Sequence, residues 1–339
     1  VIALLTLCKQ GDHIVASRAL YGGTYSLLDF NLKRFGIEAT LVDPDRPEAF
    51  ETAISPQTKA IFIETIGNPA INVIDLQAIS KVSQNAGIPL IVDNTFPTPY
   101  LCRPFEWGAD IVVHSATKFL GGHGTTMGGL IVESGKFPWD NGNFPDMIEP
   151  SPGYHDVRFY ETFGDFAYTM KARMEQIRVL GPTLSPFNGF MLLQGIETLP
   201  VRMDRHCDNA LGVAKFLHGH QKVDWVNYPG LEGDAYYRLA QKYFPKGSSA
   251  VLSFGIKGGR RAGELFIEST HFLSHLANVG DAKTLVIHPA STTHRQMSEE
   301  QQIASGVRPE MIRISVGLES LEDILWDIDQ ALGSTIPRK

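Results

Sequence analysis

The chain has 339 residues, which is enough for two domains or for one large α/β domain with an appendage. Hydrophobic residues make up 43% and charged residues 20%, as in an ordinary globular protein. The net charge of -7, with no basic stripe to offset it, argues against nucleic-acid binding and against a role at an anionic membrane surface. Three widely spaced cysteines, Cys8, Cys102 and Cys207, exclude a disulfide framework and favour a reducing cytoplasm.

The first predicted elements are the end of a helix over residues 1–11 and a strand over residues 12–16. The apolar start is too short to span a membrane. After the strand, Gly22 and Gly23 allow a ligand to approach the backbone closely, and the ring of Tyr21 could lie flat against that ligand. An isolated tyrosine at this point is equally well a packing or turn residue.

Strands and helices then alternate as far as about residue 130, which predicts a mostly parallel sheet with right-handed crossovers. A helix followed by a strand is expected over 26–41, and further helices over 48–54 and 76–86. A buried strand is expected over Lys59–Glu64. Asn68 follows that strand, where an Asn-Pro turn is the ordinary interpretation.

The most informative stretch is DIVVHSATKFLGGHG, residues 110–124. A β-branched strand over 110–114 ends in a polar turn that carries Ser115, Thr117 and Lys118. Open α/β sheets bind ligands at the carboxyl ends of their strands, and a lysine in a desolvated site there becomes nucleophilic. A lone lysine after a strand is, however, usually an ordinary surface residue. The glycines that follow lack the Gly-Lys-Ser/Thr ending of a nucleotide-binding loop.

A second strand, residues 89–92, ends at Asp93, about one crossover before Lys118. The two side chains could form a simple ion pair. They could also hold a pyridine cofactor, with its aldehyde bonded to Lys118 and its protonated ring nitrogen paired with Asp93, as in pyridoxal phosphate chemistry. Ser115 and Thr117 would then donate to the cofactor phosphate.

The second half of the chain is expected to begin with an inserted loop over 137–160 and a helix over 184–199. A change of domain is predicted near 199–204, giving a large domain over 1–203 and a small one over 204–339. The small domain should contain strands over 250–256, 285–287 and 311–316 and a helix over 262–276. Arg313 lies in the last strand, where it could grip a carboxylate or form a structural ion pair. His288 and His294 are poor evidence for a metal site.

Seven segments together resemble a known family. They are ALYGGTY (19–25), ETIGNPAINVID (64–75), PLIVDNTFPTPYLCRP (89–104), ADIVVHSATKFLGGHGTTMGG (109–129), SPFNGFMLLQGIETLPVRMDRHC (185–207), NVGDAKTLVIHPASTTH (278–294) and IRISVGLE (312–319). The chain resembles the Cys/Met metabolism (trans-sulfuration) family of fold-type I pyridoxal-phosphate enzymes, and within it most closely the O-acetylhomoserine sulfhydrylase branch. The segments span nearly the whole chain in the family's order.

The resemblance implies an α/β fold, the PLP-dependent transferase fold of type I, with a mostly parallel sheet covered by helices and a smaller α+β C-terminal domain. It implies that Lys118 carries pyridoxal 5'-phosphate and acts as the general base, that Asp93 holds the ring nitrogen, and that Tyr21 stacks on the ring and assists proton transfer. Ser115 and Thr117 are implied to bind the cofactor phosphate.

The substrate side of the site also follows from the resemblance. Asn68 is implied to contact the cofactor's phenolic oxygen or the substrate carboxylate. Arg313 is implied to bind the α-carboxylate of the substrate. The stretch that begins at Asn278 is implied to favour a sulfhydrylase, and Asn278 itself is implied to lie in the substrate site. Sulfhydrylases of the family carry an insert near the active site, which residues 137–160 would supply.

The expected reaction is replacement of the acetate of O-acetyl-L-homoserine by sulfide or a small thiol, giving homocysteine or methionine. Methionine or cystathionine γ-lyase and cystathionine γ-synthase are the alternatives with the same catalytic residues. Family members are cytoplasmic homotetramers, built as dimers of dimers. They also carry several dozen residues before position 1, some of which contact the cofactor phosphate. A truncated or partly ordered chain is therefore expected, and an inactive truncated scaffold is the alternative of another class.

Overall fold

A computed structural model describes residues 1–293, 295, 298–304 and 306–335, with the backbone alone at 301 and 304. In the described part, six strands form a first sheet in the order β2-β1-β3-β4-β5-β6. All neighbouring pairs are parallel except β5 and β6. The prediction of a mostly parallel sheet is therefore confirmed. The strands are β1 His13–Ser17, β2 Glu38–Val42, β3 Thr58–Glu64, β4 Leu90–Asp93, β5 Ile111–Ser115 and β6 Gly129–Glu133.

The central strands of this sheet are apolar and buried at nearly every position, because helices cover both faces. Their carboxyl ends lie side by side: Glu64 of β3 pairs with Asp93 of β4, and Asp93 pairs with Val113 of β5. The polar residues that end these strands are thus brought to one edge of the sheet.

Two of the helices begin at a side-chain cap. Asp75 accepts a hydrogen bond from Ala78 N at the start of α4 (Leu76–Ala86), and Ser185 accepts one from Asn188 N at the start of α10 (Pro186–Glu197). No helix in the described ranges is long and apolar enough to cross a membrane. The helices are α1 Ile2–Leu5, α2 Gly22–Ser26, α3 Pro47–Ala53, α4 Leu76–Ala86, α5 Thr98–Leu101, α6 Pro145–Ile148, α7 Phe159–Phe163, α8 Ala167–Lys171, α9 Arg178–Leu180, α10 Pro186–Glu197, α11 Leu199–Gly219, α12 Tyr237–Tyr243, α13 Gly259–Glu268, α14 Glu299–Ala304 and α15 Leu321–Gly333.

A second sheet, also counted over the described residues, has five strands in the order β7-β8-β11-β10-β9. Only β9 and β10 pair in parallel, and the other pairs are antiparallel. Together with its helices this sheet matches the expected α+β C-terminal part. The strands are β7 Val223–Asn227, β8 Val251–Ile256, β9 Ser274–His275, β10 Leu285–Ile287 and β11 Met311–Ser315.

The helix predicted over 262–276 is wrong at its C-terminal end. Helix α13 stops at Glu268, and Ser274 and His275 pair with β10 instead. The reason is a buried carboxylate on α15: Asp327 accepts hydrogen bonds from the backbone N–H groups of His271, Phe272 and Leu273 at 2.8–3.2 Å. These bonds satisfy N–H groups that a longer helix would have used internally.

The expected position of the 137–160 segment near the active site is also wrong. Its start packs at the amino-terminal edge of the first sheet, where Asn141 and Asn143 donate to the carbonyl of Gly87 and Lys59 donates to the carbonyl of Asn143. Rings of this segment, such as Trp139, are buried with Tyr168. Burial of these aromatic side chains accounts for the placement.

Two hydrophobic clusters meet along helix α11. Its first turns, with Met203 and Cys207, belong to the cluster under the first sheet. Later residues, including Ala210 and Leu217, belong to the cluster under the second sheet. The long helix therefore connects the two cores.

Replacing the buried Arg202 of α11 is expected to destabilise the protein. Its guanidinium donates to the carbonyls of Phe119, Leu120 and Gly195 at 2.6–3.3 Å, and so holds the turn that follows Lys118. Because Arg202→Met leaves these carbonyls without donors, we expect the free energy of unfolding in urea to fall by about 3 kcal/mol. The exposed neighbour offers the control: Arg205→Met should change it by less than about 0.5 kcal/mol, and equal effects would contradict the expectation.

A second stability change should depend on pH. Burial raises the pKa of Asp110 to about 6, although its carboxylate accepts a hydrogen bond from Leu90 N. The folded state thus keeps a proton that the unfolded chain releases, so stability falls as pH rises from about 4 to about 6. Asp110→Asn keeps an oxygen for Leu90 N and removes this penalty.

For Asp110→Asn we expect a gain in unfolding free energy of about 2 kcal/mol at about pH 7 that disappears near pH 4. Urea unfolding across that pH range measures it. Asp140→Asn, at an exposed carboxylate, is the control and should show no such trend. A gain that is independent of pH would contradict the assignment to the Asp110 proton.

Candidate active site

A cavity of about 650 Å³ opens at the carboxyl ends of β3, β4 and β5. Most of its wall comes from the first sheet and its loops. The remainder comes from the loop before β10, from Thr293 after β10 and from β11. All eight residues that the sequence placed in the site line it, so the structure brings them together. The lining residues with a predicted role are Tyr21, Asn68, Asp93, Ser115, Thr117, Lys118, Asn278 and Arg313.

Lys118 lies in the turn after β5. The turn is closed by backbone bonds from Lys118 N to the carbonyl of Ser115 and from Gly122 N to the carbonyl of Lys118, at 3.1 and 2.8 Å. The Lys118 amine donates to the side-chain oxygen of Asn278. Burial, and then the nearby charge of Arg313, lower the pKa of this amine. The lowered pKa favours the neutral, nucleophilic form of the Lys118 amine.

Asp93 lies at the end of β4, on the floor of the cavity. Its Oδ1 accepts hydrogen bonds from Thr95 N at 2.9 Å and from Thr95 Oγ1 at 2.5 Å. Thr95 Oγ1 accepts in turn from Ser115 N at 2.9 Å, which ties the end of β4 to the end of β5. Burial raises the pKa of Asp93, so its charge would be stabilised by a cationic partner in the cavity.

The guanidinium of Arg313 is buried in β11 and faces the same cavity. It donates to Asn68 Oδ1 at 2.9 Å and to the backbone carbonyl of Asn278 at 3.3 Å. Burial lowers its pKa to about 10. Both acceptors are neutral amide oxygens. These hydrogen bonds therefore do not form the structural ion pair that the sequence left open.

The loop that carries Asn278 approaches the backbone of Lys118 very closely. Gly280 has a φ of +76°, and a Cβ at this position would lie 2.5 Å from Phe119 N. Gly280 N also donates to Ser315 Oγ of β11 at 3.0 Å. Gly280 is therefore required for the loop to bring Asn278 against Lys118.

The remaining predicted residues lie on the cavity wall with fewer contacts. Thr117 Oγ1 accepts from Gly128 N at 3.1 Å, and Ser115 is partly buried beside it. Tyr21 precedes α2 and its side chain is 56% exposed.

Sequence reasoning gave no role to Glu64, which also lines the cavity. Its Oε1 accepts a hydrogen bond from Tyr21 N at 2.7 Å. Burial, and then the charge of Asp93, raise its pKa well above the usual value. The available signal was that Glu64, like Asp93, is an acid that ends a buried strand.

His288, one of the two histidines noted in the sequence, uses both ring nitrogens within the protein, contacting Ser291 Oγ at 2.8 Å and the carbonyl of Pro309 at 2.7 Å. His294 lies outside the described residues.

Comparison of the sequence with known proteins identifies the family of the chain. A family profile described as "Cys/Met metabolism PLP-dependent enzyme" matches residues 1–333. The chain belongs to this family of PLP-dependent enzymes. Its cofactor is pyridoxal 5'-phosphate, and its fold is that of the PLP-dependent enzymes of fold type I.

Curated relatives of this PLP-dependent enzyme share about half of its residues. The chain is 50% identical to an O-acetyl-L-homoserine sulfhydrylase of Leptospira meyeri, over 98% of this chain and 77% of the relative. It is 51% identical to a homocysteine synthase of Schizosaccharomyces pombe, over 98% of this chain and 78% of the relative. A solved structure from Campylobacter jejuni, assigned as an O-acetylhomoserine (thiol)-lyase and containing a pyridoxyl-lysine phosphate residue, superposes with a TM-score of 0.95 at 39% identity, over 98% and 80% of the two chains.

The residues in the cavity fit a pyridoxal phosphate group. The polar groups of the cavity include an amine of lowered pKa on Lys118 and the hydroxyl groups of Ser115 and Thr117. They also include the carboxyl group of Asp93, whose negative charge a cationic partner would stabilise. A cavity of about 650 Å³ is large enough for the cofactor together with a small amino acid. The site of this PLP-dependent enzyme is therefore complementary to its cofactor in charge and in size.

Proposed function

We propose that the enzyme replaces the acetate of O-acetyl-L-homoserine by sulfide or a small thiol, giving homocysteine or methionine. One observation of the cavity carries the proposal: Asn278 contacts the Lys118 amine through its side chain and the Arg313 guanidinium through its carbonyl. A carboxylate on Arg313 therefore places the α-carbon of the same amino acid close to Lys118. The sulfhydrylase and homocysteine synthase names of relatives at about 50% identity support the choice of reaction.

We assign the cofactor contacts as follows. When bound, pyridoxal phosphate withdraws electrons from the α-carbon of an attached amino acid. Lys118 would hold the cofactor, and Asp93, kept in place by Thr95, would pair with the ring nitrogen. The hydroxyls of Ser115 and Thr117 would bind the phosphate, and Tyr21 would contact the ring.

The proposed substrate contacts come from the residues around the Arg313 guanidinium. Arg313 binds the α-carboxylate in a bidentate manner, while Asn68 and Asn278, which already contact its guanidinium, orient it. The Lys118 amine would also move protons at the α- and β-carbons of the substrate, because its lowered pKa keeps a basic neutral form available. Tyr21 would assist this proton transfer.

The test is product analysis of the PLP-loaded enzyme with O-acetyl-L-homoserine, with and without sulfide. We expect homocysteine and acetate when sulfide is present and little turnover without it. A 2-oxo acid and ammonia without sulfide would identify a γ-lyase instead, and cystathionine formed with cysteine would identify a γ-synthase. An enzyme that binds no cofactor and forms no product would leave the inactive scaffold as the better description.

We also propose that the enzyme is a homotetramer built as a dimer of dimers. The support is an apolar stripe on α10, spaced three residues apart along the helix and largely exposed: Phe187 68%, Phe190 56%, Leu193 63% and Ile196 40%. Met127 beside it is 74% exposed, and its carbonyl accepts from Asn188. Exposed apolar groups of this kind are typical of protein interfaces.

Light scattering during gel filtration measures the assembly. We expect four chains for the wild-type enzyme and fewer for Phe190→Asp, since a charge in the stripe opposes burial. Trp326→Asp, at another exposed aromatic side chain, should leave the assembly intact. A monomeric wild type would contradict the proposal.

Two further assignments remain proposals. We place the enzyme in the cytoplasm, because Cys8, Cys102 and Cys207 are free and buried. We also divide the chain into a cofactor-binding domain over 1–203 and a small domain over 204–339. The passage of α11 from one hydrophobic cluster to the other, between Cys207 and Ala210, supports a boundary close to this point.

A further inference from the structure

Glu64 and Asp93 form a pair of acids at the edge of the first sheet that faces the cavity. They end adjacent parallel strands, occupy paired positions in the register of β3 and β4, and both line the cavity. Side chains at paired positions of parallel strands project from the same face of the sheet. The two carboxyl groups are thus close neighbours, and Glu64 is only 8% exposed.

The hydrogen bonds of the two acids are unequal. Asp93 accepts two, from the N–H and the hydroxyl of Thr95. Glu64 accepts one, from Tyr21 N at 2.7 Å. Since hydrogen bonds donated to a carboxylate stabilise its charged form, the negative charge of the pair belongs on Asp93 and the proton belongs on Glu64.

The cations in the cavity do not alter this assignment. Lys118 donates to Asn278, Arg313 donates to Asn68 and Asn278, and the side chain of Arg18 is exposed. In the described ranges, no salt bridge reaches Glu64. The raised pKa of Glu64, caused first by burial and then by Asp93, agrees with this picture.

We propose that Glu64 is a positioning residue that stays protonated at neutral pH and, as a neutral acid, fixes the backbone of Tyr21 at the wall of the cavity. Tyr21 is the residue before α2, and its carbonyl accepts from Tyr25 N at 2.9 Å. The N–H of Tyr21 donates to Glu64, so both backbone polar groups of Tyr21 are fixed by hydrogen bonds. The effect on cofactor binding rests on the proposed stacking role of Tyr21, but the protonation state of Glu64 does not.

The protonation state is tested on the cofactor-free protein by infrared difference spectroscopy between wild type and Glu64→Gln. We expect the variant to lose a carbonyl stretching band of a protonated carboxylic acid at neutral pH. The matched control is Glu48→Gln. Glu48 is exposed and forms an ion pair with Arg46, which lowers the pKa of the Glu48 carboxyl, so it should contribute no such band. A band that persists in Glu64→Gln would overturn the proposal.

The positioning role is tested by titrating pyridoxal phosphate into three variants and following its visible absorbance. Glu64→Gln keeps an oxygen for Tyr21 N and should bind within about threefold of wild type. Glu64→Ala removes the acceptor and should bind about tenfold more weakly, the loss expected for one buried hydrogen bond. Glu48→Gln, at the exposed control position, should bind as wild type does.

Equal weakening in Glu64→Gln and Glu64→Ala would overturn the positioning role of a neutral acid. Should Glu64→Ala fail to fold, the infrared result and the near-normal cofactor affinity of Glu64→Gln still decide the matter. Both readouts are independent of turnover, so an enzyme that binds its cofactor but does not use O-acetyl-L-homoserine would refute the proposed reaction and not the role of Glu64.

Discussion

Lys118→Ala is expected to lose the visible absorbance of bound cofactor that borohydride bleaches in the wild-type enzyme. The change removes the amine that we propose carries the cofactor and acts as the base beside the α-carbon. We therefore expect the rate of homocysteine formation to fall by about a thousandfold or more. Spectra before and after borohydride, and peptide mass spectrometry of the reduced protein, measure both consequences directly.

The control for Lys118→Ala is Lys81→Ala, at an exposed lysine on α4. It should leave the spectrum, the reduced adduct and the rate unchanged. A reduced adduct found on a lysine other than Lys118 would contradict the assignment, as would a Lys118→Ala variant that keeps the bleachable band.

Arg313→Ala is expected to have the second-largest effect, on the use of the amino-acid substrate. The buried guanidinium is the group proposed to hold the α-carboxylate, and its loss leaves that charge without a partner. We expect kcat/KM for O-acetyl-L-homoserine to fall by about a hundredfold or more, with a large share in KM. The cofactor spectrum should be retained, because Lys118 and Asp93 are untouched.

Arg313→Lys distinguishes the shape of the group from its charge. Lysine keeps a positive charge but lacks the planar fork that binds both carboxylate oxygens, so much of the loss should remain. Arg46→Ala, which removes a surface partner of Glu48, should have no effect on kcat/KM. If Arg313→Ala changes neither kcat nor KM, the carboxylate is bound elsewhere.

Local sequence patterns carried much of the prediction of the site. Lys118 and Asp93 each follow a short apolar strand, so their position at the edge of a parallel sheet could be predicted from the strands alone. Their proximity depends on β4 and β5 being neighbours, which the crossover between them favours. The resemblance to a family added Tyr21, Asn68, Asn278 and Arg313, and the structure places all of these in one cavity.

The contacts that were not predicted depend on long-range register and packing. The pairing of Glu64 with Asp93 follows from how far β3 slides along β4, which neither strand specifies by itself. The early end of α13 depends on Asp327, more than fifty residues away in the chain, and helical periodicity within 262–276 does not reveal it. The place of the 137–160 segment was likewise decided by which surface could bury its aromatic rings.

The cavity wall joins the two hydrophobic cores. Tyr21, Lys118 and Asn278 lie on segments that pack in the first core, and Arg313 lies between Ile312 and Ile314 of the second. A ligand held by all four can bind only when both cores are folded and in contact. By thermodynamic linkage, such a ligand stabilises the assembled state in proportion to the logarithm of its free concentration. We therefore expect the resistance of this enzyme to heat and to proteolysis to rise with the supply of cofactor and amino-acid substrate together.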